Sequence, residues 1–184
     1  MVTLANVEAG TRTVQRNDCF QFQVNPANGT FNNGGLEGVA YDALNSRFYC
    51  VQEDATGGIG EMGVYKVTDA PSVADLFNAE RVFAGKAGDL ADVSYDPYSG
   101  HLFILSEVDN LVFECDMAGN ILGILPVSGT QPEGLSLSSD GRTLFIVGEP
   151  NEYFRHTLDN PCTMVRWPTN LSLAVKLSAA CTNT

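Results

Sequence analysis

Positive charge is scarce in this chain: 10 Lys and Arg stand against 22 Asp and Glu in 184 residues, a formal charge of −12. Binding to nucleic acid or to anionic membrane surfaces depends on Lys and Arg that neutralise phosphates, so neither is expected as a partner and cations are favoured instead. No apolar run approaches the roughly 18 residues that a membrane-spanning helix requires. The N-terminal MVTLANVEAGTRTVQRND has no charged start followed by an apolar core, so no signal peptide is visible and the compartment stays open. The five cysteines (Cys19, Cys50, Cys115, Cys162, Cys181) form no C-x-x-C pair and show no zinc-like spacing. Cys50, inside an apolar run, reads as a buried small hydrophobe; Cys162 and Cys181 could bridge in an oxidising compartment, but an odd count leaves a thiol over. With only His101 and His156, no His-x-x-x-His and no Gly-x-Ser-x-Gly, nothing marks a catalytic base or nucleophile, and both histidines read as structural or exposed. The sequons at Asn28 and Asn170 carry little weight. Strand–helix alternation is also missing, which argues against a doubly wound α/β fold.

What the chain does have is a long-range repeat. GLEGVAYDALNSRFYCVQED (35–54), DLADVSYDPYSGHLFILSEVD (89–109) and QPEGLSLSSDGRTLFIVGEPN (131–151) align without gaps, and matching Phe48, Leu102 and Leu144 offsets the copies by 54 and 42 residues. Each unit reads as a hairpin. Its first arm alternates, and its second is a near-continuous apolar run such as Leu102-Phe103-Ile104-Leu105, suited to a strand covered on both faces. Between the arms lie equal connections, Asp42 to Arg47, Asp96 to His101 and Ser138 to Thr143, rich in the Asp, Pro, Ser, Asn and Gly that turns use. A third strand follows each hairpin (63–67, 111–116, 152–157), and a fourth is plain after the second copy at 121–125. One helical patch is expected, Ser72 to Glu80, as an insertion in the first copy. Four antiparallel strands per 42 to 54 residues predict an all-β propeller of four-stranded blades, about four of them. The expected organisation is a single domain over 1–184: outer strands of a preceding blade at 1–34, blades at 35–85 and 89–126, a partial blade at 131–160 and a divergent tail at 161–184, where Trp167 fits no blade.

The repeat also places acids. The hairpins are read with Glu37 opposing Glu53, Ala91 opposing Glu107 and Glu133 opposing Glu149. Directly opposed carboxylates repel, and burial makes ionisation harder still. Compensation would come from a cation, a nearby base, protonation or exposure to water. A hard divalent cation such as calcium, which takes six to eight oxygen ligands, is favoured. In a propeller the first strands line a central channel, so Glu37 and Glu133 would share a ring at one mouth. Asp92 would lie near the gap left by Ala91 but on the opposite side of its strand unless a bulge intervenes. Glu53, Glu107 and Glu149 would form a second, slightly outer ring. Acids at strand ends also sit in solvated loops, and repeats copy structural residues as readily as functional ones. Gly38 and Gly134 read as packing residues where strands crowd the axis.

Together, Gly-Leu-Glu-Gly-Val-Ala-Tyr-Asp, the run from Asp89 to Glu107, and Gln-Pro-Glu-Gly-Leu-Ser with Leu-Phe-Ile-Val-Gly-Glu-Pro-Asn resemble the SdiA-regulated, YjiK-like proteins over about Gly35 to Phe154. The resemblance implies a cell-envelope or secreted β-propeller, usually of six blades, of poorly defined role and linked to calcium. At this length the chain would be a partial or reduced relative, either open or closed into a tight ring by its termini, and open blade faces would favour self-association. The Pro-Glu-Gly and Leu-Glu-Gly starts also resemble gluconolactonase-like, strictosidine-synthase-like and phytase-like propellers, in which channel acids hold a divalent metal; only Glu37 and Glu133 carry over. Two functions follow as expectations. One is a non-catalytic, calcium-binding envelope scaffold; the alternative is a metal-dependent hydrolase of lactones or of phosphate or carboxylate esters.

Overall fold

Apolar runs in this chain are too short for helices of any length and are punctuated by turn residues, and in the computed structural model they become short antiparallel strands. The structure describes residues 35–53, 63–68 and 72–158, all within the unit Phe31–Thr184. The first sheet holds β1 (Leu36–Asp42), β2 (Arg47–Gln52), β3 (Gly63–Thr68) and β4 (Ser72–Phe77) in sequential order. After a short helix, α1 (Ala79–Phe83), the second holds β5 (Asp92–Tyr95), β6 (Leu102–Ser106), β7 (Leu111–Cys115) and β8 (Ile121–Pro126), again sequential. The third holds β9 (Gln131–Leu137), β10 (Thr143–Glu149) and β11 (Glu152–Thr157). Sequentially ordered antiparallel sheets that repeat along the chain are the blades of a partial β-propeller. The expected strands at 1–34 and the tail at 161–184 lie outside the described residues, as do Cys19, Cys162, Cys181 and Trp167.

The turns form because each carries its own side-chain acceptor. Asp42 Oδ1 accepts from the amides of Leu44 and Asn45 at 3.1 and 3.2 Å. Asp96 does the same for Tyr98 and Ser99 at 3.0 and 3.3 Å, and Ser138 Oγ for Thr143 at 2.9 Å. Asp42 and Asp96 are buried, which their local donors make tolerable. Asp116 holds the turn into β8 through the amides of Ala118 and Asn120, both at 2.9 Å.

Two apolar cores lie between successive blades. The first joins Ala40, Tyr49, Val51 and Val64 to Val93, Leu102, Ile104 and Phe113, with Phe83 of α1 edge-on to Phe113 at 5.2 Å. The second joins Phe103, Leu105 and Val112 to Leu135, Leu144 and Ile146. The middle strand β6 is therefore buried at every position, as its continuous apolar run predicted. The β10 run is not: it packs Leu144 and Ile146 inward and leaves Val147 exposed. Cys50 and Cys115 are buried free thiols, in keeping with Cys50 as a small hydrophobe, and burial pushes both up.

The helical patch expected at Ser72 to Glu80 is corrected. Ser72–Phe77 is the fourth strand of the first blade, pairing Val73 with Val67 and Phe77 with Val64, because the open edge of β3 offers more hydrogen bonds than an isolated turn of helix. Helix begins only at Asn78, whose side chain caps it by accepting from the Arg81 amide at 2.7 Å.

The register is corrected too. Val39 pairs with Cys50 and Gly38 with Val51, but Leu36 pairs with Gln52, so Glu37 is the extra residue of a β-bulge and does not face Glu53. The third blade repeats this: Gly134 pairs with Val147 and Pro132 with Gly148, which leaves Glu133 in the bulge and Glu149 opposite Gln131. In the second blade Asp92 pairs with Leu105 while the Ala91 amide also donates to the Leu105 carbonyl at 2.8 Å, so Ala91 does not face Glu107. The innermost strands crowd one another at this point. A Cβ on Gly38 would lie 2.6 Å from the Asp92 Cα and 2.7 Å from the Val93 nitrogen. Asp92 Oδ2 crosses to the next blade and accepts from the Leu135 amide at 2.7 Å, while Oδ1 accepts from Val93 at 2.8 Å. One step along, Ser94 Oγ accepts from the Leu137 amide at 3.3 Å.

These contacts give the first predictions. Asp92→Ala removes the acceptor for two backbone amides and is expected to cost about 1–3 kcal/mol of unfolding free energy. Gly38→Ala drives a methyl group into backbone and is expected to cost a similar amount, about 1–3 kcal/mol. Urea midpoints measured with an unchanged slope test both; a midpoint shift near zero in either variant contradicts the inter-blade role.

Candidate functional site

The bulges fix where the acids go. A bulge interrupts side-chain alternation and re-aims the extra residue, and here it leaves Glu37 and Glu133 exposed at one end of their blades. The same end receives the finish of the second strands. Glu53 follows β2, its amide bonded to the Gly35 carbonyl at 3.1 Å; Glu107 follows β6, and Glu149 closes β10. These side chains feel one another. Burial lifts the Glu53 carboxyl above its ordinary value, and the charges of Glu37, Asp89, Glu107 and Glu133 lift it further. Glu133 is raised first by burial and then by Glu107, Glu149, Glu37 and Asp89. The repeat thus brings Glu37, Glu53, Glu107, Glu133 and Glu149 into one electrostatic neighbourhood, although not as opposed pairs.

Asp92 does not join them. Its carboxylate is spent on the Leu135 and Val93 amides; burial raises its pKa and those hydrogen bonds oppose the rise. Its place as a mouth acid goes to Asp89, which the repeat alignment passed over. Asp89 is buried and accepts from Ser106 Oγ at 2.7 Å, from the Val108 amide at 3.1 Å and from the Glu107 amide at 3.3 Å. It therefore fixes the segment that presents Glu107. The available signal was its position two residues before Ala91, in the one copy whose first strand lacks a Glu there. Asp109 braces the same corner, accepting from the Gly88 amide at 2.6 Å. Glu107 reaches the third blade, accepting from Gln131 Nε2 at 3.2 Å.

The acids thus divide by their partners. Asp42, Asp89, Asp92, Asp96 and Asp116 each accept from backbone amides nearby. Glu37, Glu53, Glu133 and Glu149 have no such bond among the described residues, and what acts on Glu53 and Glu133 is burial first and then other carboxylates. Carboxylate oxygens are the donors a hard cation takes. Among the described residues, however, no group of three or more His, Cys, Asp or Glu stands in an arrangement that could hold a metal ion. The donor chemistry fits a cation; a preformed coordination shell is not built. The histidines lie elsewhere: His101 Nδ1 meets Glu114 Oε1 at 2.7 Å, and that contact holds its pKa up. His156 is half-buried on β11.

Repeated four-stranded blades with innermost strands in contact define a β-propeller. The profile of the SdiA-regulated family matches residues 1–157, and the chain belongs to that family. Solved structures share the fold at low identity. A chain of a nidogen/laminin complex matches with a TM-score of 0.53 at 11% identity, over 68% of this chain and 45% of that one. Regucalcin of Agrobacterium tumefaciens, described as a calcium-binding protein, matches with a TM-score of 0.49 at 14% identity, over 64% and 39%. A gluconolactonase of Xanthomonas campestris matches with a TM-score of 0.48 at 19% identity, over 67% and 38%. The chain spans less than half the length of each of these.

Repulsion at the mouth has a measurable sign. For Glu53 and Glu133 the folded pKa lies above the ordinary 4.5, so the folded chain takes up these protons more readily than the unfolded one. The destabilisation is fully present above the folded pKa and gone below 4.5. Glu53→Gln and Glu133→Gln are each expected to raise the melting temperature at neutral pH and low salt, with the gain shrinking in high salt and vanishing as pH falls below the carboxylate range. Equal or lower melting temperatures at neutral pH would contradict mutual repulsion.

Proposed function

We propose that this protein is a non-catalytic, cation-binding propeller that acts as a binding or scaffold protein of the cell envelope, with calcium as the cation. The observation that carries the reading is the convergence of Glu37, Glu53, Glu107, Glu133 and Glu149 with Asp89, whose charges add to burial in raising the pKa of Glu53 and of Glu133. A divalent cation removes that repulsion more effectively than any of the chain's own groups acting there. Since no coordination shell is preformed among the described residues, the flexible glutamate side chains close on the ion when it binds. Oxygen-only donors on mobile stems favour calcium over the smaller magnesium, which demands a near-ideal octahedron. Assignment to the envelope follows from the family resemblance. No reaction step is assigned: His101 is held by Glu114 and His156 lies on β11, both away from the mouth, and a fold alone licenses no chemistry.

Calorimetric titration with calcium at neutral pH is expected to show saturable binding, and calcium at about a hundred times its dissociation constant to stabilise the fold by about 2.7 kcal/mol. Glu133→Gln is expected to weaken binding roughly tenfold, the loss of about 1.4 kcal/mol, whereas Asp92→Asn leaves it unchanged. No heat and no thermal shift would reject the cation reading. Calcium-dependent turnover of lactones or aryl esters, abolished by Glu133→Gln, would replace the scaffold with the hydrolase.

A further inference from the structure

The repeat permits a like-for-like comparison of burial at equivalent positions, and among the described residues the first and third blades fail it in complementary ways. Val51 and Leu105 face the following blade and are 0% exposed; their equivalent Val147 is 49% exposed. Val64 and Val112, beside them on the third strands, are 1% exposed; their equivalent Tyr153 is 62% exposed and stacks on Phe145 at 6.3 Å. Ser94 reaches the next blade, while its equivalent Ser136 is exposed. At the other end, Val93 and Leu135 face the preceding blade and are 2% and 8% exposed, whereas their equivalent Val39 is 63% exposed. Tyr41, next on that face, is 52% exposed and packs its ring on Phe48 at 4.6 Å.

The following face of the third blade and the preceding face of the first are therefore the two halves of an interface that the chain already makes twice internally. From this continuity we infer that a second copy of the chain docks head to tail, the Phe145–Val147–Tyr153 face of one copy against the Val39–Tyr41–Phe48 face of the next. Such a contact joins different surfaces, so it closes into a ring when the rotation per copy divides a full turn and otherwise runs on. At Gly134 the place of a Cβ is taken by Val147 Cγ2 of the same blade, 2.6 Å from it, so Val147 itself covers this part of the face. Aromatic and branched side chains supply the apolar area, as in the cores between blades. The inference is independent of the cation reading.

Sedimentation velocity and light scattering of the full chain over a wide concentration range, with a chelator present so that cations cannot bridge acidic surfaces, test it. Concentration-dependent association is expected for the natural chain. Tyr153→Glu alone and Val39→Glu alone are each expected to weaken it roughly tenfold to a hundredfold. Both positions are more than half exposed, so each variant should keep its melting temperature. Mixing the two variants is expected to restore association in part, because one intact pair of faces remains. A monomer at all concentrations overturns the inference. So does association that only Tyr153→Glu disrupts, which would mean a face docking on its own copy. Hydrogen-exchange protection of β10 and β11 that is equal in monomeric fractions also overturns it, since the chain's own residues would then cover that face.

Discussion

Close approach of the innermost strands is the constraint on which the structure depends. Where β1 meets β5, a glycine is needed because the Asp92 backbone occupies the space a side chain would fill. Where β5 meets β9 at the same level, the gap is bridged by an aspartate whose oxygen takes a backbone amide of the next blade. One repeat position thus solves one packing problem in two ways: by having no side chain, or by having one short enough to hydrogen-bond across. The apolar cores between the blades start on these innermost strands, with Ala40 and Val93 in the first and Leu135 in the second, and run outward from them, so they can close only if the strands first come this near.

The bulges belong to the same geometry. Strands that converge on an axis must diverge from their hairpin partners, and an extra residue in the inner strand accommodates the added twist. In the first and third blades that residue is a glutamate; in the second the position is Ala91, and the charge arrives instead from Asp89 on the segment before it. The acidic mouth is thus a by-product of how the strands enter the axis, and its electrostatics follow from placement: carboxylates from separate blades share a small region without directly facing one another.

The hairpins, their turn chemistry and the third strands were legible in the sequence because each depends on local signals: Asp42, Asp96 and Ser138 at the turns, and apolar runs such as Leu102 to Leu105 on the second arms. Register was not. Symmetric pairing about the six-residue connection holds from Asp42 to Gly38 and already sets Glu37 one place away from Glu53, and nothing in Leu36-Glu37-Gly38 marks Glu37 as extra to the ladder; the bulge answers to the neighbouring blade, which is far away in sequence. The same reason hid the clamp made by Asp92, since its partner Leu135 lies 43 residues on. Ser72–Phe77 misled through a different cause. Its composition suits a helix, but the pairing demand of β3 overrides so short a stretch of intrinsic preference. Convergence of the glutamates was legible because a repeat around an axis makes equivalent positions neighbours whatever the exact register.

Among the chain's many acids, the useful distinction is between those with donors and those without. A buried carboxylate survives when backbone amides satisfy it, and Asp42, Asp89 and Asp96 are kept in place by such bonds. Their charge is already spent on structure. Glu37, Glu133 and Glu149 are exposed and have no backbone amide to accept from among the described residues, so each is free to reorganise around something that arrives from solution. That freedom costs the folded chain the repulsion that, after burial, raises the pKa of Glu53 and of Glu133. A protein selected for stability alone would have little reason to keep it, because a neutral glutamine at these points fills the same space without opposing its neighbours.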